Sequence, residues 1–353
     1  MKTPRKTHAT KQARRLAPLR LRVAQTALHS LHALRADLDG VRHAEDRECV
    51  HRLRVASRRL RTVLPLLAPA LSRQTCARWR KQLRRVTRAL GAARDTDVQM
   101  ACVHQFVHDS ASAEAQAGVE RLLLRLAQRR QAQQEPVVTA LERFAARQLA
   151  EEMEERLQEV VSLSASEGVD VPGRRVYRQV GKGILKRLDA FEAYAPYVAH
   201  PACVKELHAM RIAAKRLRYL MQALAPLYPD KLTEPIQAVR LCQTQLGDIH
   251  DGDMWLDTLP RFLDEEQART LAYFGNTTPF EPLRAGILAL YHNRQHQRAQ
   301  DYQAFVAFWE QLQAQDMWEH LRQTLAAPYA AAEATAATAT AALAGDDASA
   351  STP

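Results

Sequence analysis

One arginine-rich segment occurs twice in this chain, and the repeat limits the folds that the chain can adopt. The segment VHRLRVASRRLRTVL at 50–64 aligns with LHAMRIAAKRLRYLM at 207–221. A second motif follows each copy, LGAARDTDV at 90–98 and LGDIHDGDM at 246–254. Two motifs repeated in the same order are typical of a duplicated unit. The sequence therefore predicts two similar halves, 1–162 and 174–326.

The composition favours helices throughout both halves, with only 12 glycines among 353 residues and long runs rich in Ala, Leu, Arg and Gln. We predict an all-α fold with helices near 15–37, 48–67, 72–90, 95–110, 113–134, 136–162, 174–193, 202–224, 231–246, 252–273, 280–313 and 316–326. A linker at 163–173 contains Ser, Gly and Pro and separates the halves. The Ala-rich tail at 327–353 has low complexity and is predicted to be disordered.

Positive charge is concentrated in particular parts of the chain. With 50 Lys and Arg against 39 Asp and Glu, the formal net charge is +11. Residues 49–94 hold 13 Lys or Arg and no acid, whereas 148–170 hold seven acids and one base. Solvated helical faces usually mix charges of both signs, so this segregation indicates a polyanionic partner.

Other features exclude several classes of protein. The five cysteines are far apart and form no CxxC pair, which predicts free thiols in a reducing compartment and no zinc site. No apolar run approaches the roughly 20 residues that a membrane-spanning helix needs. The basic N-terminus lacks the apolar stretch of a secretory signal. We therefore predict a cytoplasmic protein without a membrane partner, a metal or another cofactor.

On a helical wheel, each copy of the repeated segment has an apolar face and a basic face. The apolar stripes are Leu53, Ala56, Leu60, Val63, Leu64 and Leu67 in the first copy, and Met210, Ala213, Leu217 and Leu220 in the second. The basic stripes recur at i, i+3, i+7 and i+10: His51, Arg54, Arg58 and Arg61, then His208, Arg211, Lys215 and Arg218.

Further basic residues accompany these stripes, and we include them in the predicted binding surface. They are Arg59 and Arg216 beside the stripes, a row at Arg78, Lys81, Arg85 and Arg88 with Arg84 next to it, a row at Arg175, Arg178, Lys182 and Lys186, the weaker counterparts Arg15 and Arg22, and Arg240.

Rows of this kind suit a ligand with repeated negative charge. Ten helical residues span about 15 Å, and like charges at i, i+4 repel one another. The planar guanidinium forms bidentate bonds with phosphate oxygens. A long polyphosphate or a nucleic-acid backbone fits several such rows. A single basic row could instead be an ordinary solvated helix face. A neighbouring polyanion would raise the pKa of His51 or His208, so that each could act as an additional cation.

The RDTD and HDGD stretches, 94–97 and 250–253, have two interpretations. His250, Asp251 and Asp253 could be metal ligands, but the position that matches His250 in the first half is Arg94. We favour a structural role instead. In this interpretation Gly91 and Gly247 end one helix, and the first aspartate of each stretch caps the next helix or pairs with an arginine.

At these motifs the sequence resembles the CHAD family, the conserved-histidine α-helical domain, over roughly residues 15–325. The resemblance implies two four-helix bundles related by a pseudo-two-fold axis, with a basic channel or groove between them. It also implies that the protein binds inorganic polyphosphate and associates with polyphosphate granules. The second copy departs from the pattern in having Lys215 in place of an arginine, and HDGD in place of RDTD.

Three functions compete on these observations. The first is binding of inorganic polyphosphate without catalysis, which we favour. The second is binding of an RNA or DNA backbone, but single-strand binders place aromatic residues in their basic grooves, and here Tyr219 is the main aromatic residue near the stripes. The third is a phosphohydrolase using His51 or His208. It lacks a metal cluster, a Gly-rich phosphate loop and a carboxylate beside either histidine, so we predict that the protein is not an enzyme.

Overall fold

A computed structural model describes residues 17–43, 47–110, 113–166, 174–228 and 230–326. Every regular element in these ranges is helical, which confirms the predicted all-α class. Arg15, residues 167–173 of the predicted linker, the tail at 327–353 and the side chain of Arg175 lie outside what is described. No helix in the described ranges is both long enough and apolar enough to cross a membrane.

The helices are α1 (Ala17–Ala36), α2 (Leu38–Arg42), α3 (Arg47–Val63), α4 (Ala68–Leu71), α5 (Arg73–Ser110), α6 (Ala113–Ala132), α7 (Gln134–Ala145), α8 (Leu149–Ser166), α9 (Arg174–Glu192), α10 (Val204–Leu224), α11 (Thr233–Phe274), α12 (Glu281–Ala314) and α13 (Met317–Ala326). Short 3-10 turns occupy Leu64–Leu67, Ala195–Tyr197, Ala225–Leu227 and Thr278–Phe280.

The predicted helix breaks at the two LG motifs are wrong. Helix α5 continues without interruption through Gly91, and α11 continues through Gly247. Conversely, the single helix predicted at 136–162 is two helices, α7 and α8. The chain turns between them, where Gln148 has a φ of 47°. A backbone in this left-handed region cannot continue a right-handed helix.

The chain forms two compact units. The first unit comprises the described residues of Arg20–Val169 and Asp251–Gln300, and the second comprises those of Met1–Leu19, Asp170–His250 and Asp301–Pro353. This arrangement differs from the predicted division into 1–162 and 174–326, because residues 251–300 pack with the N-terminal helices. Helices α11 and α12 each contribute one end to each unit.

The apolar stripes predicted for the repeated segments are largely buried. All six stripe residues of the first copy, on and just after α3, are at most 6% exposed. In the second copy Met210, Ala213 and Leu217 on α10 are buried, and Leu220 packs partly buried against the same core. These helices therefore turn their basic stripes away from the core of the unit to which each belongs.

Each unit has apolar packing of its own. In the first unit one cluster joins the C-terminal part of α5 to α6 and to the ends of α11 and α12 that belong to this unit. In the second unit the core contains three aromatic rings, Phe191, Trp309 and Trp318, with centroids 5.5–5.9 Å apart. Such edge-to-face and tilted arrangements stabilise a packed core. All five cysteines are free, as predicted.

Candidate functional site

In the first unit the basic stripe of α3 lies against α5, and the two helices run antiparallel. The Nε atom of Arg54 is 3.9 Å from the position that a Cβ at Gly91 would occupy. One helical turn further along α3, the Ser57 and Thr87 hydroxyls are 3.2 Å apart. The α3 stripe and the facing residues of α5 therefore form a continuous surface, which we call the first groove.

Positive charges crowd the two ends of the first groove. Burial, together with the charges of Arg84 and Arg80 on α5, lowers the pKa of the Arg61 guanidinium. At the other end, burial and the charge of Arg94 on α5 lower the pKa of His51, and Arg54 and Arg58 add to this effect, while Glu48 opposes it. The groove thus disfavours additional positive charge at two separate points.

The aspartates of the RDTD motif pair with arginines. Asp95 lies 3.6 Å from Arg54, so its carboxylate partly neutralises one end of the groove. Asp97 is buried and accepts a hydrogen bond of 3.0 Å from Arg130 on α6. The prediction that the first aspartate pairs with an arginine is therefore confirmed for Asp95, although Asp95 lies within α5 rather than at a helix start.

The second aspartate of the HDGD motif has a similar structural partner. Asp253, at the position that matches Asp97, accepts a hydrogen bond of 2.9 Å from Arg298 on α12, and both side chains are nearly buried. Burial raises the pKa of Asp253 more than the neighbouring Arg298 lowers it. Among the residues that the structure describes, no group of three or more His, Cys, Asp or Glu side chains is placed to hold a metal ion.

In the second unit, α10 and α11 pair antiparallel in the same way. A Cβ at Gly247 would lie 3.4 Å from Nε of Arg211, and the rings of His208 and His250 have centroids 4.0 Å apart. Arg218 lies seven residues after Arg211, and Arg240 lies seven residues before Gly247, so the antiparallel register brings Arg218 level with Arg240. The α10 stripe with these residues of α11 is the second groove.

The histidines of the second groove are held in the neutral state. Burial and then the charges of Arg211 and Lys215 lower the pKa of His208. Burial, with the charges of His208 and Arg211, lowers the pKa of His250 to about 4. The Nδ1 atoms of His51, His208 and His250 are buried and have no hydrogen-bond partner among the described residues.

Gly91 and Gly247 lie inside helices, where an arginine of the opposite helix crosses, and not at helix ends. Each lies where the arginine of the H-x-x-R pattern crosses the opposite helix. Glycine costs roughly 1 kcal/mol relative to alanine inside a helix, and at both crossings an added Cβ would lie within van der Waals contact of the guanidinium. An added Cβ would lie closer to the guanidinium at Gly247, 3.4 Å, than at Gly91, 3.9 Å.

Several predicted site residues lie elsewhere. The row at Arg78, Lys81, Arg85 and Arg88 is on a flank of α5 that lies about 60–140° around the helix from Gly91. Arg78 forms an ion pair with Glu152 on α8. Arg85 bonds to Gln82 at 3.2 Å and lines a cavity with Arg143 of α7.

Other predicted residues lie outside the two grooves as well. Arg59 lines a cavity between α1 and α3, and Arg216 lines a cavity between α9 and α10. Both are on the flank of their helix that does not meet the LG motif. Those predicted residues that are exposed on α1 and α9 are Arg22, Arg178, Lys182 and Lys186.

Three residues of the first and second grooves are not among the binding residues predicted from the sequence. They are Arg80 and Arg94 on α5, and His250 on α11. Arg80 and Arg94 share a helix face with Arg84 and Gly91, because these positions are separated by multiples close to whole turns. The sequence signal for Arg80 and Arg94 is their helical spacing from Gly91, which becomes visible when the LG motif is placed inside a helix.

The class of protein follows from the fold and from these paired helices: it is an all-helical protein whose duplicated motifs form arginine-rich grooves. Residues 25–260, more than half of the chain, match the family model of the CHAD domain. The chain therefore belongs to the CHAD family, which confirms the resemblance in the sequence.

One similar solved structure is the crystal structure of the CHAD domain from the plant Ricinus communis. The match has a TM-score of 0.55 and 23% sequence identity, and it covers 82% of this chain and 91% of the plant chain. At this identity the match shows the fold. The comparison with curated proteins found no match.

Proposed function

We propose that this protein binds inorganic polyphosphate at its two basic grooves without catalysing a reaction, and that it does so in the cytoplasm at polyphosphate granules. CHAD domains as a family are known in general for binding polyphosphate. The proposal for this chain rests on its own residues, since the family relationship alone does not assign a ligand to each groove.

The observation that carries the proposal is the crowding of like charges in each groove. Arg61 is half-buried beside Arg84 and Arg80, and His208 is half-buried beside Arg211 and Lys215. Such arrangements cost free energy in the ligand-free protein, because the arginines and the lysine repel one another and oppose protonation of His208. A chain of phosphates recovers this energy by neutralising several cations at once and releasing counterions.

The spacing of the cations suits a linear ligand. From His51 to Arg61 the stripe on α3 rises about 15 Å, and cations of α5 lie on the opposite side at both ends. Arginine predominates, and its fork binds two phosphate oxygens. A single phosphate needs one such fork, whereas a polymer engages the row.

Nucleic acid is the alternative ligand, and the surroundings of Tyr219 argue against it. Single-strand binders offer aromatic faces on which bases stack. The guanidinium of Arg218 already covers the Tyr219 ring, with its central carbon 4.7 Å from the ring centroid. A ligand that consists of phosphate alone requires no such platform.

The state of the histidines supports binding without catalysis. A histidine that acts as a general base is oriented by a hydrogen bond to its second nitrogen. In His51 and His208 the Nδ1 atoms have no such partner within the described part of the chain. Both residues are suited to contact phosphate rather than to transfer a proton.

A competition titration tests the proposed ligand. Purified protein is titrated with long-chain inorganic polyphosphate at physiological salt, in competition with single-stranded RNA and duplex DNA of equal phosphate count. We expect tight polyphosphate binding that neither nucleic acid displaces. Equal binding of all three would show a general polyanion surface and would contradict the proposed specificity.

A further inference from the structure

The two grooves differ at one position in the charge that they can carry. His250 on α11 corresponds to Arg94 on α5, at the offset of 156 residues that aligns 246–254 with 90–98. Arg94 acts electrostatically on His51, and His250 contacts the ring of His208. Arginine is always charged in proteins, whereas histidine changes its charge between about pH 5 and pH 8.

The surroundings of His250 are cationic on the helix that faces it. The charged or titratable groups acting on it from α10 are His208 and Arg211. Lys215 and Arg211 act in turn on His208. With the two rings 4.0 Å apart, both histidines cannot readily hold protons at once in the absence of an anion.

Carboxylates on α11 do not offset the positive charge around His250. Along α11 the acidic residues nearest to His250 in sequence are Asp248 and Asp251, and both side chains are exposed. Solvent screens exposed charges efficiently. The buried Nδ1 atoms of His208 and His250 have no hydrogen-bond partner in the described ranges, so no carboxylate or carbonyl holds a proton on either ring from that side.

We propose that His250 is a proton-dependent phosphate-binding residue of the second groove, and that Arg94 is its permanently charged counterpart in the first groove. This inference rests on the proposed function. A phosphate oxygen near His208 and His250 accepts a charge-assisted hydrogen bond from a protonated ring and offsets the repulsion between the cations. Phosphate binding therefore takes up protons at two histidines in the second groove, but only at His51 in the first.

Proton uptake makes the affinity depend on pH. Each proton that is taken up on binding changes the affinity by up to about tenfold per pH unit, in the interval between the free and bound pKa values. The second groove should thus gain affinity more steeply than the first as the pH falls. At alkaline pH, the first groove retains the charge of Arg94 while the second has only its arginines and lysine.

Exchanging the two residue types tests this inference. Binding of long-chain inorganic polyphosphate is measured between about pH 8 and pH 5, for wild type, His250→Arg, Arg94→His and the control His104→Arg. His104 is exposed on α5, so its replacement matches the added charge outside the grooves. Proton uptake is obtained by calorimetry in two buffers of different ionisation enthalpy, and circular dichroism verifies folding.

We expect His250→Arg to bind more tightly than wild type at pH 8 and to take up fewer protons, by up to about one per bound second groove. Arg94→His should bind more weakly at pH 8 and take up more protons. The control should leave proton uptake unchanged. If His250→Arg takes up as many protons as wild type, the inference is overturned while polyphosphate binding stands.

A second variant guards against disturbed packing by the larger arginine. His250→Gln removes the titrating ring, keeps a polar side chain and should reduce proton uptake with little change in affinity at pH 8. Unchanged uptake in this variant would likewise overturn the inference. Absence of polyphosphate binding by wild type at every pH would overturn the proposed function, and this inference with it.

Discussion

Arg84 should lower the stability of the ligand-free protein and strengthen its binding of polyphosphate. It lies on the face of α5 that meets α3, and burial and then the charge of Arg84 lower the pKa of Arg61. In Arg84→Gln this repulsion is lost, so the free energy of unfolding should rise by roughly a few tenths of a kcal/mol. The same change removes one cation from the first groove, and polyphosphate binding should weaken.

The expected loss of affinity follows from the exposure of the side chain. A hydrogen bond to a charged group contributes about 1.5–3 kcal/mol when it is shielded from water, and an exposed ion pair contributes about 0.2–1 kcal/mol. Arg84 is exposed, so a loss of about 1.4- to fivefold in affinity is expected. The slope of log affinity against log salt should also become shallower by roughly 0.7.

The assay compares Arg84→Gln with Lys81→Gln, by salt-dependent titration with polyphosphate and by chemical unfolding. Lys81 is exposed on the same helix but points away from the first groove, so both variants lose one positive charge. We expect affinity and stability to change in opposite directions for Arg84→Gln alone. Equal losses of affinity in the two variants would refute the assignment of the groove face.

Three further predictions concern stability. The pKa of His250 is about 4 in the folded protein and about 6.5 in the unfolded protein, so the unfolded state binds more protons between these values. The free energy of unfolding should therefore fall by up to about 3 kcal/mol as the pH drops through that interval. His250→Gln should flatten the pH profile of unfolding, and an unchanged profile would contradict this prediction. Replacing Asp97 by alanine leaves the guanidinium of Arg130 nearly buried without this partner, so chemical unfolding should reveal a loss of about 3 kcal/mol or more, and a loss below about 1 kcal/mol would show that the pair behaves as an exposed one. A Cβ at Gly118 would lie 2.1 Å from a backbone carbonyl oxygen of α12, so Gly118→Ala should lower the free energy of unfolding by about 3 kcal/mol or more. A Cβ at Gly183 would meet nothing within 4 Å, so Gly183→Ala should instead raise the melting temperature. Similar effects of both changes would argue against this packing.

The sequence alone was sufficient to predict the helical class, the buried faces of the repeated segments and the cations of α3 and α10. These features depend on local periodicity, since a stripe with a period of 3.6 residues specifies both helix and core face. Leu53 and Leu60 on one side and Arg54 and Arg61 on the other are separated by helical geometry alone.

The pairing of the helices could not be predicted in the same way. Glycine is common at helix ends, so the sequence predicts that Gly91 and Gly247 end helices, but both lie inside helices, where an arginine of the opposite helix crosses. The face of α5 that meets α3 depends on that tertiary crossing. Charge spacing alone points to the row from Arg78 to Arg88, whereas the structure places Arg80, Arg84 and Arg94 on the face that meets α3.

The grouping of the chain into units also depends on tertiary packing. The repeat predicted a division near 163–173, but the part of α11 after His250 and the part of α12 before residue 301 pack with the first unit. Long helices such as α11, with 42 residues, can serve two cores because each end buries its own apolar face. Nothing in the local pattern of α11 marks the residue at which one core ends.

The most direct test of the account is polyphosphate binding by a variant in which Arg54, Arg58, Arg211 and Lys215 are all replaced by glutamate. A control variant carries the same four-fold charge reversal at Arg59, Lys81, Lys182 and Arg216, which lie on other helix faces. At physiological salt, with both variants folded, we predict that the groove variant loses binding and that the control retains most of it. Comparable binding by the two variants would contradict the claim that the grooves hold the polymer.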